Sequence, residues 1–458
     1  MEYFSTRNSN LNKNFKDIVM EGLSIDGGLY MPREWPKVTL HSLKNLQYDE
    51  VAFEVIHPYC NESISEESLR SIIKNTYKSF HHLKTAPLTS LEGNKLILEL
   101  FYGPTFAFKD YALQFLGNLF EHFLKNEKKQ ISIIGATSGD TGSAAIDACK
   151  FKKNINLFML FPHNKISEVQ RKQMTTVIDK NIHCIAVEGN FDDCQKIIKN
   201  LFADKDLRKQ TNLAAVNSIN WARIIAQTVY YYWAALQLTK DFSKLNFIVP
   251  SGNFGNIYAA NVAKKMGLNI DKLFIATNSN DILHRTISKG DMSIQKVKKT
   301  YSPSMDIQIS SNFERQLFES MDYDSEKLSN LMDEFLNKGS YGLSREIIKK
   351  LKNLYISNVV SDQDILKNIK YYYNKYKYLA DPHTATGLSL LKKIKDTSVP
   401  HISLACAHPS KFSSAIKKAI GKEPQYPDSL KNIFEKKEKF TILKNDIKKI
   451  KSYILKSI

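Results

Sequence analysis

The chain has 458 residues, of which 43% are hydrophobic and 24% are charged. This composition indicates a folded globular protein with a large buried core and argues against a disordered, collagenous or fibrous chain. The formal net charge is +18, from 65 basic and 47 acidic residues. Only nine of the basic residues are arginines. Proteins that read base edges rely on the arginine fork, so the charge favours an anionic small molecule over a nucleic acid.

The cysteines and the apolar segments indicate the cellular compartment of the protein. Five cysteines, at positions 60, 149, 184, 194 and 406, form no Cys-x-x-Cys pair and no even set for disulfides. The first residues lack an apolar signal core, and no run approaches the roughly 18 apolar residues of a membrane helix. We therefore expect free thiols in a reducing compartment, a soluble cytoplasmic protein, no membrane contact and no metal site.

The first part of the chain differs from the rest. Residues 1–90 mix short extended segments with two predicted helices, at 48–60 and 65–77, and show no regular alternation of strands and helices. We expect a separate N-terminal α+β domain there.

From residue 95 onward, short apolar runs alternate with amphipathic helical patterns. The predicted strands are 96–101, 131–134, 156–161, 183–187, 213–216, 246–249 and 402–406. The predicted helices between them are 108–123, 142–149, 166–177, 191–202, 221–238 and 257–266. This alternation predicts parallel β-α-β units with helices on both sheet faces, an α/β fold. Residues 280–378 are predicted to be helical, and basic helices are expected to follow residue 409.

Lys109 is the first candidate functional residue. In open parallel sheets ligands bind outside the carboxyl ends of the strands, and residues 103–110 follow a predicted strand. The turn places Lys109 at a helix start, with Phe106, Phe108 and Tyr111 nearby. Loss of hydration lowers the pKa of an ammonium group toward a value at which the free amine forms imines. Taken alone, Lys109 is better explained as a solvent-facing lysine, one of 56 in the chain.

Two glycine-rich turns strengthen that candidate. Residues 135–142 contain three glycines and three hydroxyl side chains, and residues 250–256 contain two more glycines. Each turn lies between a predicted strand and a predicted helix, where free backbone N–H groups bind anions. The first turn matches neither the dinucleotide-binding fingerprint nor a Walker loop. With Lys109, the two turns indicate a phosphorylated cofactor tethered by an imine and a second anion beside it.

An ordered set of motifs resembles the threonine synthases, pyridoxal-phosphate enzymes of the tryptophan-synthase-β fold type. The motifs are residues 104–110 (PTFAFKD), 135–142 (GATSGDTG), 217–223 (NSINWAR), 252–256 (GNFGN) and 405–412 (ACAHPSKF). Residues 3–7 and 22–30 also look like the N-terminal domain of that family. The likeness spans residues 3 to 412 in the right order.

The resemblance implies fold type II of the pyridoxal-phosphate enzymes, with the cofactor in the cleft between two α/β domains. It divides the chain into an N-terminal domain at 1–90, a smaller α/β domain at 104–220, and a larger domain formed by 91–103 and 221–458. The larger domain is expected to carry the helical insertions and the C-terminal helices.

The resemblance also implies roles for the site residues. Lys109 is the catalytic, imine-forming lysine, Cys406 faces the pyridine nitrogen, and Asp140 lies near the 3-hydroxyl of the cofactor. Many relatives have Thr or Ser in place of Cys406, and other branches have Asn in place of Asp140. The cofactor phosphate is assigned to Gly252, Asn253, Phe254, Gly255 and Asn256. The substrate carboxylate and phosphate are assigned to Thr137, Ser138, Thr141, Asn217, Ser218 and Arg223.

The implied reaction converts O-phospho-L-homoserine and water into L-threonine and phosphate, the last step of threonine biosynthesis. One alternative is a threonine or serine dehydratase-like lyase on the same cofactor, which has no need of Asn217, Ser218 and Arg223. A second alternative is a non-catalytic binding protein that uses the basic surface. The sequence is compatible with a monomer or a dimer.

Overall fold

The computed structural model describes residues 1–127, 129–214, 216–238 and 244–458. The strands are β1 (Tyr3–Ser5), β2 (Asn8–Lys13), β3 (Tyr30–Pro32), β4 (Leu88–Ser90), β5 (Lys95–Glu99), β6 (Ile131–Ala136), β7 (Ile155–Pro162), β8 (Ile182–Glu188), β9 (Leu213–Ala214), β10 (Leu245–Pro250), β11 (Ile270–Thr277), β12 (Asp291–Ser293), β13 (Ser340–Gly342), β14 (Tyr355–Val359), β15 (His401–Ala405) and β16 (Thr441–Lys444).

The α-helices complete the architecture. They are α1 (Phe15–Glu21), α2 (Tyr48–Cys60), α3 (Glu66–Tyr77), α4 (Lys109–Glu127), α5 (Asp140–Cys149), α6 (Glu168–Thr175), α7 (Phe191–Ala203), α8 (Lys205–Thr211), α9 (Trp221–Leu236), α10 (Gly255–Met266), α11 (Ile282–Lys289), α12 (Phe313–Ser320), α13 (Ser325–Lys338), α14 (Arg345–Leu354), α15 (Asp362–Tyr376), α16 (Pro382–Lys393), α17 (Ser413–Ile420), α18 (Asp428–Lys431) and α19 (Ile447–Ser457).

The N-terminal segment forms an antiparallel three-stranded sheet in the order β2-β1-β3, followed by α2 and α3. Gln47 and Glu50 form a capping box that starts α2 at the predicted residue. The helix predicted from residue 65 begins one residue later because Ser65 is its N-cap and accepts from the Ser68 N–H.

Two further sheets carry most of the core. The larger has the order β14-β11-β10-β15-β5-β4, and all its strands are parallel except β4, which runs antiparallel to β5. The smaller has the order β16-β8-β7-β6-β9 and is parallel throughout. The apolar strands β7 and β10 are buried almost along their whole lengths, as expected for sheets covered by helices on both faces. The predicted α/β class is confirmed.

Three details differ from the sequence prediction. The strand expected at 213–216 is described only as β9, and Ala215 lies outside the described residues. The segment 280–378 contains helices α11 to α15 but also β12, β13 and β14, strands of three to five residues that are too short to show a clear pattern.

The C-terminal tail is the third difference, because it contains a strand as well as helices. Strand β16 pairs in parallel with β8 and completes the smaller sheet, and α19 packs against α7. The sequence division had assigned this segment to the larger domain. Pairing satisfies the backbone groups that an edge strand such as β8 otherwise leaves free.

The long helix α9 lies at the centre of the molecule. It is buried on all faces up to Ala235 and contacts α2, α4 and α10. The loops that follow β5, β6, β10 and β15 converge on one cavity, since the carboxyl ends of parallel strands share an edge. In the part of the chain that the structure describes, no helix is both long and apolar enough to cross a membrane.

Candidate active site

A cavity of about 640 Å³ is lined by the residues that the sequence analysis identified as candidates. Its wall includes Lys109, Thr137, Ser138, Asp140, Thr141, Asn217, Ser218, Arg223, Gly252, Asn253, Phe254, Gly255, Asn256 and Cys406. Loops from both of the larger sheets thus face the same space.

Lys109 is the first residue of α4, and the turn before it is fixed by Asp110. The Asp110 carboxylate accepts from the Thr105 backbone N–H at 2.9 Å and from the Thr105 hydroxyl at 2.6 Å. The Lys109 amine donates to the Ser304 hydroxyl at 3.2 Å. Burial lowers the pKa of Lys109 to about 8, an effect that Asp140 opposes and Arg223 reinforces. The amine is therefore far more often uncharged near neutral pH than an exposed lysine.

The turn after β6 depends on Thr137 and Gly139. The Thr137 hydroxyl oxygen accepts from the backbone N–H groups of Gly139 at 2.9 Å and Gly142 at 2.8 Å. Gly139 has a φ of 139°, and a Cβ atom there would lie 2.3 Å from the Gln170 side chain. The position thus requires glycine. Ser138 and Thr141, also on this turn, line the cavity.

Asp140 is a buried carboxylate with a buried cation beside it. Its Oδ1 accepts from Gln170 Nε2 at 2.8 Å and lies 3.0 Å from the Lys411 amine. Burial opposes ionisation, but Lys411 and Lys109 hold the pKa of Asp140 well below its usual range. Lys411, to which the sequence assigned no role, is the ion-pair partner of Asp140.

The turn after β10 brings backbone N–H groups to the start of α10. Phe254 lies in the left-handed region with a φ of 63°, and its ring packs on Phe313 and Tyr355 with centroids 5.0 and 5.5 Å away. This packing holds a conformation that a non-glycine residue rarely adopts. Gly252 lies against the next loop, since a Cβ atom there would be 3.3 Å from Met305 Cα.

Asn256, in the first turn of α10, carries an unused donor. Its Oδ1 accepts from the hydroxyls of Tyr230 at 2.6 Å and Tyr231 at 2.7 Å. The buried Nδ2 has no hydrogen-bond partner among the described residues. The two tyrosines are fully buried and orient this amide.

Arg223 and Arg315 are both buried, but their donors are used differently. Arg315 donates to the backbone oxygens of Tyr30 and Ile219 and to the Asn312 side chain. Arg223 donates from Nη1 to Val216 O at 3.3 Å, and its buried Nε has no partner within the described chain. Burial lowers the pKa of Arg223 to about 10. Arg223 thus presents a charge and free donors to the cavity.

Cys406 follows β15 on the cavity wall and is 5% exposed. Its backbone N–H donates to the Thr384 hydroxyl at 2.8 Å. Burial and the nearby Asp381 carboxylate raise the pKa of the thiol well above its usual range. Cys406 therefore stays a neutral thiol, able to act as a weak donor.

Sequence reasoning missed several residues that shape the site. Asn312 donates from Nδ2 to the backbone oxygens of Ser218 at 3.2 Å and Asn253 at 3.0 Å. Ser304 and His383 line the cavity. A signal for one of them was present, because Asp381 followed by Pro382 is typical of a helix N-cap and would have placed His383 in a first helical turn.

These features fit a phosphorylated aldehyde. An amine of lowered pKa faces the cavity, a glycine turn opens α10, and a buried amide donor on that helix lacks an acceptor in the described chain. An aldehyde reacts with the first group, and a phosphate suits the other two.

Comparison with protein families gives three matches along the chain. The family described as "Threonine synthase N terminus" matches residues 2–77. The family described as "Pyridoxal-phosphate dependent enzyme" matches residues 85–338, which is more than half of the chain. The family described as "Threonine synthase, C-terminal" matches residues 384–454.

Full-length relatives agree with these matches. A threonine synthase from Pseudomonas aeruginosa is 45% identical over 99% of this chain and 98% of its own. The crystal structure of a pyridoxal-phosphate-bound threonine synthase from Brucella melitensis is 41% identical, with a TM-score of 0.96 and coverage of 100% and 99%. The yeast threonine synthase structure is also 41% identical, with a TM-score of 0.94 and coverage of 100% and 98%.

The expected fold type II is confirmed, and pyridoxal phosphate is the cofactor. The dehydratase-like alternative and the non-catalytic alternative lack support, because threonine synthase families match both ends of the chain and the relatives span it completely. From its first strand to its C-terminal helix, the chain belongs to the threonine synthase family of pyridoxal-phosphate-dependent enzymes.

Proposed function

We propose that this enzyme converts O-phospho-L-homoserine and water into L-threonine and inorganic phosphate. The observation that carries the proposal is Arg223, a buried guanidinium on the cavity wall that forms no ion pair with the rest of the described chain. A buried charge without a partner is costly, and a dianionic phosphate group removes that cost when it binds.

The phosphate of the substrate lies at Arg223, Asn217 and Ser218. All three line the cavity, and Arg223 is only 4% exposed. A guanidinium offers two parallel donors to a phosphate, and the short amide and hydroxyl side chains add further donors. A dehydratase acting on threonine or serine has no phosphate to place there.

The cofactor is assigned to the neighbouring part of the cavity, where the turn after β10 lies against Ser218. Lys109 would link it covalently, and Gly252, Asn253, Phe254, Gly255 and Asn256 would hold its phosphate. Cys406 would face the ring nitrogen and Asp140 would lie near the 3-hydroxyl. Pyridoxal phosphate, when bound, supplies an electron sink that stabilises negative charge on the carbon next to the amino group.

Lys109 moves the protons of the reaction. A proton must leave Cα and another must leave Cβ before the Cγ–O bond breaks and releases the phosphate with its oxygen, and a proton must return to Cγ before water adds at Cβ. An amine with a pKa of about 8 both accepts and returns protons near neutral pH. Because Lys109 is the first residue of α4, its backbone is fixed while its amine reaches the cavity.

The substrate carboxylate lies at the start of α5, with Thr137, Ser138 and Thr141. The N-terminus of a helix favours a negative charge, and the three hydroxyls add donors around it. Two anchors, one for each end of the substrate, orient the reacting carbons and keep free water out of the cavity until the phosphate has left.

Two broader assignments accompany the reaction. We infer a cytoplasmic location, in keeping with five cysteines that are all buried as free thiols. We also keep the division into residues 1–90, 104–220, and 91–103 with 221–458, amended so that β16 and α19 accompany the smaller sheet.

The proposal is tested by measuring phosphate release and threonine formation from O-phospho-L-homoserine with the purified holoenzyme. Equal release of phosphate and threonine is expected, without 2-oxo acid from threonine or serine. Lys109→Ala is expected to lose activity by about 1,000-fold or more, whereas Lys456→Ala, which changes an exposed lysine, keeps it. Formation of a 2-oxo acid without threonine would overturn the proposal.

A further inference from the structure

Ser304 and His383 link the Lys109 amine to a buried carboxylate through hydrogen bonds of the Ser304 side chain and of its backbone. The amine donates to Ser304 Oγ at 3.2 Å, and the Ser304 backbone N–H donates to His383 Nε2 at 3.1 Å. On the other side of the imidazole, Nδ1 lies 2.9 Å from Asp381 Oδ1. None of Ser304, His383 and Asp381 belongs to the predicted site.

The bonding fixes the tautomer of His383. A backbone N–H can only donate, so Nε2 must carry the lone pair and Nδ1 must carry the proton. That proton is donated to Asp381, whose carboxylate also accepts from the backbone N–H groups of His383 at 2.9 Å and Ala407 at 3.2 Å. His383 is 3% exposed, and its ring packs edge-on against Phe412 with centroids 4.9 Å apart. The imidazole is therefore held in one orientation.

Ser304 lies in a short 3₁₀ turn, Pro303–Met305, that covers the cofactor side of the cavity. The turn packs on Gly252, where an added Cβ atom would lie 3.4 Å from Ser304 O. Asn278 anchors the flanks of the turn by donating to Ser302 O at 3.3 Å and to Asp306 Oδ1 at 2.8 Å. His383 supplies the bond to Ser304 itself.

We propose that Ser304 is a further catalytic residue, whose hydroxyl accepts a hydrogen bond from the Lys109 amine when that amine is free. His383 is then the positioning residue, which holds Ser304 in place and is itself oriented by Asp381. The inference rests on the proposed function in one respect, namely that Lys109 is the reacting amine.

The proposed contact does two things for the amine. It keeps the released side chain pointed at the reacting carbons, because a lysine with four rotatable bonds otherwise samples many positions. It also gives the protonated amine an acceptor in a cavity that disfavours charge, so removing the hydroxyl lowers the pKa of Lys109 further. The other titratable groups that face Lys109 are Asp140, Arg223, Lys411 and Cys406, and the test leaves all four unchanged.

Two substitutions at His383 separate positioning from simple packing. In His383→Gln, the side-chain amide reaches the place of Nε2 and can accept from the Ser304 N–H. In His383→Asn, the amide reaches only the place of Nδ1, so the bond to Asp381 can persist while the bond to Ser304 is lost. The proposal requires Gln to recover what Asn loses, whereas a purely structural role predicts that Asn serves at least as well.

The first measurement is competitive acetylation of Lys109 by acetic anhydride in the apoenzyme, followed against pH by mass spectrometry. In wild type, half-maximal labelling is expected near pH 8. In Ser304→Ala and His383→Asn, the midpoint is expected to fall by about one unit, with His383→Gln close to wild type. The second measurement is kcat of the holoenzyme, which is expected to fall about tenfold or more in Ser304→Ala and His383→Asn and by less than about threefold in His383→Gln.

An unchanged midpoint and kcat in Ser304→Ala overturns the proposal, and so does equal or better performance of His383→Asn than of His383→Gln. Circular dichroism checks that each variant folds, and Ser304→Ala decides alone if both His383 variants unfold. If wild type fails to turn over O-phospho-L-homoserine, the proposed function is wrong, but the labelling midpoints still decide whether Ser304 and His383 control the amine.

Discussion

Arg315 donates from Nη1 to the side-chain oxygen of Asn312 at 2.5 Å. Asn312 in turn binds the backbone of Ser218 and of Asn253, one residue in each candidate phosphate-binding loop. Arg315 also donates to Tyr30 O at 3.0 Å. A buried arginine thus ties the N-terminal sheet to both loops, which gives that part of the chain a direct influence on the site.

Replacing Asn312 with alanine should loosen both loops together. We expect Asn312→Ala to raise the KM for O-phospho-L-homoserine and the Kd for pyridoxal phosphate by about tenfold each, because each loop loses one hydrogen bond. Steady-state kinetics and cofactor titration of the apoenzyme measure the two effects. Asn368→Ala is a matched control, since Asn368 is also buried but donates to Asp364 O away from the cavity. A rise in only one constant would contradict the shared role of Asn312.

Arg223 should be expendable for folding but not for catalysis. We expect Arg223→Met to lower kcat/KM by about 100-fold or more, because the phosphate loses its guanidinium. The free energy of unfolding of the substrate-free enzyme should not fall, since the substitution removes an unpaired buried charge.

The control for Arg223→Met is Arg345→Met, which changes an exposed arginine and should leave both quantities unchanged. Urea unfolding and phosphate-release kinetics provide the measurements. Loss of stability without loss of kcat/KM would assign Arg223 to the core rather than to the substrate.

The lowered pKa of Lys109 predicts how the rate at which the apoenzyme binds its cofactor depends on pH. The uncharged amine is the nucleophile, and burial favours that form, so the rate should rise with pH and level off above the pKa of about 8. Between pH 7 and pH 9 the rise should be about tenfold, whereas an ordinary lysine would give about a hundredfold without levelling. Stopped-flow absorbance over this range distinguishes the two curves.

The buried pair of Asp140 and Lys411 should behave as a unit. We expect Lys411→Met to lower the free energy of unfolding by about 3–5 kcal/mol, because it leaves a buried carboxylate unpaired. Adding Asp140→Asn to that variant should recover much of the loss. Urea unfolding of the single and double variants measures the coupling, and strictly additive losses would show that the two charges do not depend on each other.

Gly139 should tolerate no side chain. A Cβ atom at this φ of 139° meets Gln170, which also binds Asp140. We expect Gly139→Ala to cost about 2 kcal/mol or more of unfolding free energy and to weaken cofactor binding. Gly342→Ala is the control, because a Cβ atom there has no neighbour within 4 Å among the described residues. Urea unfolding measures both variants, and equal free energies of unfolding would contradict the requirement for glycine at 139.

The sequence predicted the parts of the site that lie next to strands. Lys109 and the turns at 135–142 and 250–256 were found because buried strands and glycine turns are local patterns. The pairing of Asp140 with Lys411 joins residues far apart in the chain and could not be read from spacing. The same holds for Ser304, which reaches Lys109 from an irregular segment without any periodic pattern.

The same distinction applies to the strands, some of which can be recognised from their own residues and some of which depend on residues far away in the chain. The apolar runs that became β7 and β10 were recognised, whereas β12, β13 and β16 have three or four residues each and gain their stability from the neighbours with which they pair. Motifs on strands and turns identified the chemistry, but the residues that orient those motifs required the packed structure.

The late position of β16 affects the order of events during synthesis. Its partner β8 is translated roughly 250 residues earlier, and at about 5–20 residues per second its open edge stays bare for roughly 10 to 50 s on the ribosome. An uncovered strand edge of this kind recruits other chains. A stop codon before residue 441 should therefore produce inclusion bodies rather than a shortened, active enzyme. A slow codon there should increase aggregation of the full-length chain.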